Sequence, residues 1–557
     1  MTDTIGVTRL GTEVVPDSPS SSEFGEGASQ FKLAPRSTLS YFLVAGSTMA
    51  ALCIRNHSVF SRPIREQGDE AANSILVNQA VHFHLLVGNY SREGFNHPGP
   101  AFLYIQSFGQ DLFYSWLHAV PAPFNGQLIA LFLLNSAILA LTVLVIARHT
   151  RSWSTAVLVI SVVVLLTGST LSWTSAWFPY LYAAPFLLAM LSGVSVAIGA
   201  LQDLPIFTFA VGLLVHGHVA FIGIMGIYVA LVVVAWLILH RNAGGYGTLL
   251  QRAQKSLIAS GAIVLLFALP IAVELGLHWP GQFGQYWHYV HSSSQQHHHS
   301  FAQVATYIGS FWPGGPVVKT LLLLAGVGTA SWAVTDPNRS RRNFVLEALL
   351  GVVILTLQMG LYAYKGVDFL NLTYTGYFYY SVPPVILATL LVEALGRFGA
   401  VLATPAARHK HRRLITIPVV GSAVLGILLF ATRPSTLNTY WGEPALPHVA
   451  SVIRDSSLRD GRTVAFSMNT VGTSGADWPD VVGLLVAASW EGYQPCIADD
   501  AWQFIVTSQY ICTPTEEKHA WLITAELSSV RVPSGGTLVF RNTSVEVFAN
   551  PKTGASH

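Results

Sequence analysis

The sequence predicts a polytopic α-helical membrane protein with a small α/β domain at its C-terminus. Of its 557 residues, 52% are hydrophobic and only 10% are charged, whereas soluble domains average about 25% charged residues. Eleven apolar stretches are each long enough to cross a bilayer, which takes about 20 residues in a helix. After residue 432 the pattern changes to short strand-like and helix-like segments, which is typical of a globular domain.

The N-terminal segment, residues 1–36, is polar and contains the run Pro-Asp-Ser-Pro-Ser-Ser-Ser. This composition predicts a disordered tail. The segment is too long and too acidic for the start of a secretory signal, so we expect the first apolar stretch to remain as an uncleaved anchor. The net charge of +2 argues against a nucleic-acid partner.

The transmembrane domain is predicted to extend over residues 37–432. Residues 204–240 need a break, because a single helix of that length would be roughly 55 Å long, against a hydrocarbon core of about 30 Å. His216-Gly217-His218 lies at the centre, so we predict two helices that meet there. The eleven predicted spans are 38–55, 126–147, 153–172, 177–200, 204–220, 221–240, 257–276, 316–335, 344–363, 377–396 and 414–432.

Lysine and arginine residues predict the orientation. With eleven spans, four basic clusters fall on the side of the N-terminal tail, and the segment 277–315, which has no Lys or Arg, falls on the other side. By the positive-inside rule, the N-terminus is cytoplasmic and residues 433–557 are external. The four clusters are Arg148/Arg151, Arg241/Arg252/Lys255, Arg339/Arg341/Arg342 and Arg408/Lys410/Arg412/Arg413.

The C-terminal segment, residues 433–557, is predicted to be an external α/β domain. Strands are expected at 464–467 and 537–540, and helices at 445–454 and 479–490. Cys496 and Cys512 could form a disulfide if this region faces an oxidising compartment.

An acidic pair, Asp69 and Glu70, lies in the first external loop, residues 56–125, shortly after the first span. A solvated surface pair is the simpler interpretation. However, two apolar stretches follow, Ala71–Val87 and Ala101–Trp116, and we expect both to lie along the membrane surface. The pair would then face the outer leaflet, where a catalytic carboxylate could meet a lipid-borne substrate.

Several histidines are further candidates. His97 begins the element His97-Pro98-Gly99-Pro100, which is either a rigid turn that starts a helix or a contact to substrate. His216 and His218, at the tip between two spans, are either a wetted polar turn or substrate-binding residues. A histidine-rich stretch could bind a transition metal, although no Cys or carboxylate accompanies it; its members are His288, His291, His297, His298 and His299.

The acidic pair, followed by a His-Pro-x-Pro element that opens a juxtamembrane helix, resembles the GT-C superfamily of membrane glycosyltransferases. The segment 95–105, FNHPGPAFLYI, is most similar to actinobacterial members of that superfamily. The resemblance covers roughly residues 38–400, with its specific part at 65–105. It implies an enzyme of the bacterial plasma membrane that takes a sugar from a polyprenyl phosphate and transfers it to a glycan or lipid acceptor outside the cell.

The resemblance also implies how the candidate residues act. Asp69 would be the general base on the acceptor hydroxyl, with inversion at the sugar, and Glu70 would orient the acceptor or hold a divalent cation, as in some branches of the superfamily. Positive charge is needed at the leaving phosphate, and external candidates are Arg65, Arg92 and Lys365, of which we favour Arg65 and Lys365.

A transporter or lipid flippase is the first alternative function, and a catalytically inactive envelope scaffold that recognises glycan through residues 433–557 is the second. In the first, Asp69, Glu70, His216 and His218 would line an ion or substrate path. Transporters place ionisable residues in mid-membrane and show repeated halves. Here the spans are nearly free of acidic residues and no repeat is apparent, which favours the enzyme.

Overall fold

The structure is a computed structural model of the 557-residue chain. It describes residues 35–551 except for 168–172, 242–245, 292–298, 402–420, 438–462, 469–477, 527–536, 542–545 and the single positions 423, 436, 491, 499 and 520. The predicted helix 445–454 therefore lies outside the described residues. So does the predicted disordered tail, residues 1–36, except for its last two residues, which belong to the first helix.

Helices make up most of the described chain. In order, they are α1 (Pro35–Arg55), α2 (Gly68–Val81), α3 (Ala101–Gly109), α4 (Pro123–Thr150), α5 (Trp153–Thr167), α6 (Phe178–Leu181), α7 (Ala183–Ala197), α8 (Leu204–Gly217), α9 (Ala220–His240), α10 (Tyr246–Arg252), α11 (Gln254–His278), α12 (Gly281–His291), α13 (Phe301–Ser310), α14 (Pro316–Val334), α15 (Arg339–Lys365), α16 (Pro384–Val401), α17 (Trp478–Trp490), α18 (Gln503–Val506) and α19 (Pro514–His519).

Eight helical segments of the described chain are long and apolar enough to span a membrane, which confirms a polytopic helical membrane protein. They are Thr38–Arg55, Pro123–Thr150, Phe178–Ala197, Ala220–His240, Gln254–His278, Pro316–Val334, Arg339–Lys365 and Thr373–Phe398. The segment Phe178–Ala197 is 94% buried and forms the centre, whereas Gln254–His278 is only 6% buried and lies at the periphery.

The remaining three predicted spans are shorter or incompletely described. α5 and α8 are apolar helices of 15 and 14 residues. The eleventh predicted span, 414–432, is described at residues 421–422 and from 424 onward, and the described residues up to 431 are helical. The predicted break within 204–240 is confirmed, because α8 ends at Gly217 and α9 begins at Ala220, with His218 in an extended conformation between them.

The two apolar stretches of the first loop do form helices, but the prediction that the first lies on the membrane surface is wrong. α2 is buried along most of its length, including Ala71, Ala72 and Ile75. These three side chains pack against α17, in a cluster with Val481 and Leu485. α17 thus covers these apolar residues of α2 and shields them from solvent. The second stretch forms α3 and then a π-helix, Gln110–Trp116.

The C-terminal residues contain a five-stranded sheet of order β2-β1-β3-β5-β4. Both neighbours of β1 are parallel to it, and β5 pairs antiparallel with β3 and β4. α17 connects β1 to β2, as a parallel pair requires. Cys496 of β2 forms a disulfide with Cys512, a pairing that the sequence left open. The strands are β1 (Thr463–Met468), β2 (Gln494–Ile497), β3 (Trp521–Glu526), β4 (Thr537–Arg541) and β5 (Glu546–Pro551).

Candidate active site

A cavity of about 550 Å³ lies where α2, α9, α12 and α15 meet the first loop. Five of the residues considered as site candidates in the sequence line it, namely Asp69, Arg92, His97, His218 and Lys365. Asp69 and His97 therefore line one cavity together with two cations, Arg92 and Lys365. Glu70, Arg65 and His216 are not among the lining residues.

Asp69 lies in the first turn of α2, which begins at Gly68 with a left-handed φ of 52°. Its Oδ2 accepts a hydrogen bond from Trp177 Nε1 at 2.6 Å, and its Oδ1 accepts one from the Tyr90 hydroxyl. Desolvation raises the pKa of the carboxyl group, and these two bonds partly offset the rise. Because a carboxylate has about four acceptor sites, Asp69 is held in place and still has lone pairs for a proton from substrate.

Glu70 does not line the cavity, so the prediction that it orients the acceptor is not supported by its position. Its Oε1 accepts a hydrogen bond from Ser175 Oγ at 2.9 Å. Burial raises the pKa of Glu70 to about 7, and the negative charge of Glu66 adds to the rise.

Glu66 is a third acid of this region, which we did not select from the sequence. It is buried, and its Oε1 accepts a hydrogen bond from Trp490 Nε1 of α17 at 3.0 Å. Desolvation raises its pKa, and Arg65 acts in the opposite direction. Arg65 therefore lies near Glu66 rather than on the cavity wall, and its predicted contact to phosphate is not supported.

The raised pKa of Glu70 predicts a pH dependence of stability. The unfolded chain loses this proton near the ordinary pKa of 4.5, whereas the folded protein keeps it up to about pH 7. The contribution of protonated Glu70 is thus complete below pH 4.5 and is lost as the pH rises through 7. Glu70→Gln should keep that contribution, so its Tm should fall less than that of the wild type between pH 5 and pH 8. Glu93→Gln, at an exposed position, is the control, and equal slopes for Glu70→Gln and the wild type would contradict the assignment.

His97 and His218 lie in contact on the cavity wall, with ring centroids 4.2 Å apart and ring planes tilted by 34°. Each Nδ1 accepts a backbone N–H from the start of α9, from Val219 at 3.4 Å and from Ala220 at 3.1 Å. Burial lowers the pKa of His97, and His218 lowers it further. The rings are therefore neutral, with the proton on Nε2, and serve as hydrogen-bond donors.

A short hairpin places His97 beside Asp69. Gly88 N–H donates to His97 O at 2.8 Å, and His97 N–H donates to Asn89 O at 2.9 Å. Tyr90, which donates to Asp69, lies on the other strand of the hairpin and pairs with Asn96. The hydrogen bonds of this hairpin thus link Asp69 and His97.

His216 is buried and does not line the cavity, so its predicted contact to substrate is not supported. Its Nε2 donates to Phe267 O at 2.7 Å, and its ring packs against Gly99 of the His-Pro-Gly-Pro element. The backbone N–H of Gly99 also donates to His216 O at 3.2 Å. His216 therefore fixes the turn that carries His97. This pairing could not be predicted from the sequence, because Gly99 and His216 lie in different elements.

Two cations line the cavity on the side of α15. Arg92 donates to Asp368 Oδ2 at 3.2 Å and pairs with Glu93 at 3.0 Å. The Tyr289 hydroxyl also donates to Asp368 Oδ2, at 3.0 Å. Lys365 has no ion pair within the described part of the chain, because the neighbouring Asp368 contacts Arg92 instead. Arg92 is thus a cavity residue that we weighed in the sequence but did not favour.

Metal ligands are not apparent among the described residues, where no group of three His, Cys, Asp or Glu side chains is close enough to hold an ion. Residues 292–298, with most of the histidine-rich stretch, lie outside the described residues. His299 Nε2 donates to Val367 O at 2.7 Å.

The structure is similar to that of ArnT from Cupriavidus metallidurans in the apo state, with a TM-score of 0.54 and 13% sequence identity over 93% of this chain and 98% of ArnT. The apo oligosaccharyltransferase from Archaeoglobus fulgidus gives a TM-score of 0.41 at 13% identity, over 82% of this chain and 64% of the other. No protein-family model and no curated protein matches the sequence. The likeness to ArnT establishes the fold, and the chain has the GT-C fold that its acidic pair and His-Pro-Gly-Pro element led us to expect.

Proposed function

We propose that this protein is a membrane glycosyltransferase that moves a sugar from a polyprenyl phosphate to a hydroxyl group of an envelope acceptor. The observation that carries the proposal is the cavity itself, which combines a desolvated carboxylate, Asp69, with two cations, Arg92 and Lys365. An ArnT-like fold supports the same reaction class.

The cavity suits both ends of such a donor. The apolar residues Ile224 and Ile227 of α9 and Leu361 of α15 line it together with Lys365. A polyprenyl chain could lie against these side chains, with its phosphate beside the cations. The reaction increases the negative charge on that phosphate, because a phosphodiester becomes a phosphomonoester, so nearby cations stabilise the leaving group.

Asp69 would act as the general base. The acceptor oxygen bonds to the anomeric carbon while the bond from that carbon to the phosphate oxygen breaks, and the acceptor proton passes to Asp69. The product is a glycoside of inverted configuration, and polyprenyl phosphate leaves. A raised pKa makes Asp69 a stronger base than an ordinary aspartate, which favours this proton transfer.

We place the cavity on the external face of a bacterial plasma membrane, with the N-terminus in the cytoplasm. Of the basic clusters in the described residues, Arg241 follows α9 at the end away from the cavity, and Arg339, Arg341 and Arg342 begin α15, whose other end carries the cavity residue Lys365. The disulfide between Cys496 and Cys512 also supports an external C-terminal segment, since disulfides persist in oxidising compartments.

Lys365→Met tests the phosphate end. Loss of one charged contact to phosphate should weaken binding of polyprenyl phosphate to protein in nanodiscs by about 10-fold or more. Lys255→Met, at the start of α11 and outside the cavity, is the control and should bind like the wild type. Unchanged binding by Lys365→Met would remove this residue from the site.

Product analysis separates the enzyme from the alternative, a transporter or flippase. Purified wild-type protein is incubated with a panel of polyprenyl-phosphate sugars and membrane-extracted acceptor lipids and glycans. The proposal expects free polyprenyl phosphate and a glycosylated acceptor. Movement of intact polyprenyl-phosphate sugar across a proteoliposome membrane, without cleavage, would favour the transporter.

A further inference from the structure

Three buried amide side chains line the cavity with polar atoms that have no hydrogen-bond partner. Asn73, Asn89 and Gln358 are 3%, 8% and 8% exposed. The atoms without a partner are Asn73 Oδ1, Asn89 Oδ1, and both Oε1 and Nε2 of Gln358. Leaving such a group buried and unsatisfied costs about 1–3 kcal/mol, so each of these amides needs an explanation from what enters the cavity.

From these amides, we infer that Asn73 and Asn89 form a subsite for the glycosyl group of the donor, and that they help to select which sugar is transferred. This inference rests on the proposed function. Its basis is the chemistry of the unpaired atoms and their position relative to Asp69.

The chemistry points to hydroxyl groups. A polyprenyl chain offers no hydrogen bond and would leave all of these atoms unsatisfied. Phosphate oxygens only accept hydrogen bonds, so they cannot satisfy the two Oδ1 acceptors. A hydroxyl group both donates and accepts, so it satisfies an amide whichever way the amide is turned. Of the three parts of a polyprenyl-phosphate sugar, only the sugar carries several hydroxyl groups.

The position of the two asparagines fits the reacting sugar. Asn73 lies one helical turn after Asp69 on α2, so both side chains are on the same face. Asn89 immediately precedes Tyr90, whose hydroxyl group donates to Asp69. Lys365 and Arg92 line the same cavity. A sugar held by the asparagines would therefore be next to the base, with its phosphate directed toward the cations.

The test compares two ligands that differ only in the sugar. Binding of bare polyprenyl phosphate, and of the same lipid phosphate carrying mannose, glucose, galactose or arabinose, is measured by calorimetry with the full-length protein in nanodiscs. The ratio of the two affinities is the gain due to the sugar. In the wild type, at least one sugar should give a gain of about 10-fold or more.

Asn73→Ala and Asn89→Ala should each reduce that gain by about 3-fold to 10-fold and leave the affinity for bare polyprenyl phosphate unchanged. Asn78→Ala is the matched control, because Asn78 lies on the same helix but its Oδ1 accepts from Gln110 Nε2 outside the cavity lining. Bare lipid phosphate also reports whether each variant is folded, and if one asparagine variant does not bind it, the other decides the test.

The outcomes distinguish the two levels of the proposal. If the wild type binds bare polyprenyl phosphate but gains nothing from any sugar, or if the gain survives both substitutions, the asparagines hold only water and the subsite is refuted while the proposed function stands. If the wild type binds neither the bare nor the glycosylated lipid phosphate, the proposed function fails and the subsite falls with it.

Discussion

Asp69→Asn should lower the transfer of sugar from a polyprenyl phosphate by about 10²–10⁴-fold, the usual contribution of a general base. Asparagine has nearly the same shape as aspartate but cannot take the acceptor proton. It also replaces one acceptor oxygen by a donor, so it cannot keep both the bond from Trp177 Nε1 and the bond from Tyr90. The loss should appear in kcat with saturating donor, because Asp69 is not one of the residues assigned to the phosphate.

Asp111→Asn is the matched control for this substitution. Asp111 lies in the same loop, in the π-helix that follows α3, but it does not line the cavity. Desolvation raises its pKa as well, so a raised pKa alone does not separate the two residues. Asp111→Asn should keep nearly full turnover. If Asp69→Asn kept it too, with normal folding and normal binding of polyprenyl phosphate, Asp69 would not be the base.

Local sequence patterns predicted the helical fold well because the bilayer imposes simple rules. Apolar length located the spans, and the excess length of 204–240 together with His216-Gly217-His218 located the break that the structure has between Gly217 and Ala220. Alternation and turn signals located β1, β4 and α17. Each of these inferences needed only neighbouring residues.

The features that could not be predicted from the sequence depend on contacts between segments that are distant in the chain. In the sequence, Glu66 looks like an ordinary loop acid. Its hydrogen-bond partner, Trp490 of α17, lies 424 positions later in the chain. α2 was predicted to lie on the membrane because its apolar residues had no visible partner, and the partner is α17. Asp69 and His97 were identified because the acidic pair and the His-Pro-Gly-Pro element are local motifs, whereas the pairing of Arg92 with Asp368 is not local.

Gly99→Ala should be the most damaging small substitution in the His-Pro-Gly-Pro element. A Cβ atom at position 99 would overlap the ring of His216, and the buried ring has little room to move because its Nε2 donates to Phe267 O. Overpacking of this kind costs about 1–3 kcal/mol. We expect a lower Tm in detergent and a loss of transfer, because the displaced turn carries His97.

A second substitution tests the cause of that loss. His216→Ala alone should destabilise the protein, since it creates a cavity and leaves Phe267 O without this donor. In Gly99→Ala/His216→Ala, however, the new methyl group would enter the space left by the ring. The double variant should therefore be more stable than the sum of the single effects predicts, with a coupling of about 1–3 kcal/mol.

Gly226→Ala is the control for adding a methyl group, because a Cβ atom there would meet nothing within 4 Å. It should be neutral or slightly stabilising, as Gly→Ala usually is within a helix. Strict additivity of Gly99→Ala and His216→Ala would mean that the glycine is required for some reason other than this contact. Positive coupling together with recovered transfer would establish that His216 acts by holding the turn, and that contact with the substrate belongs to His97.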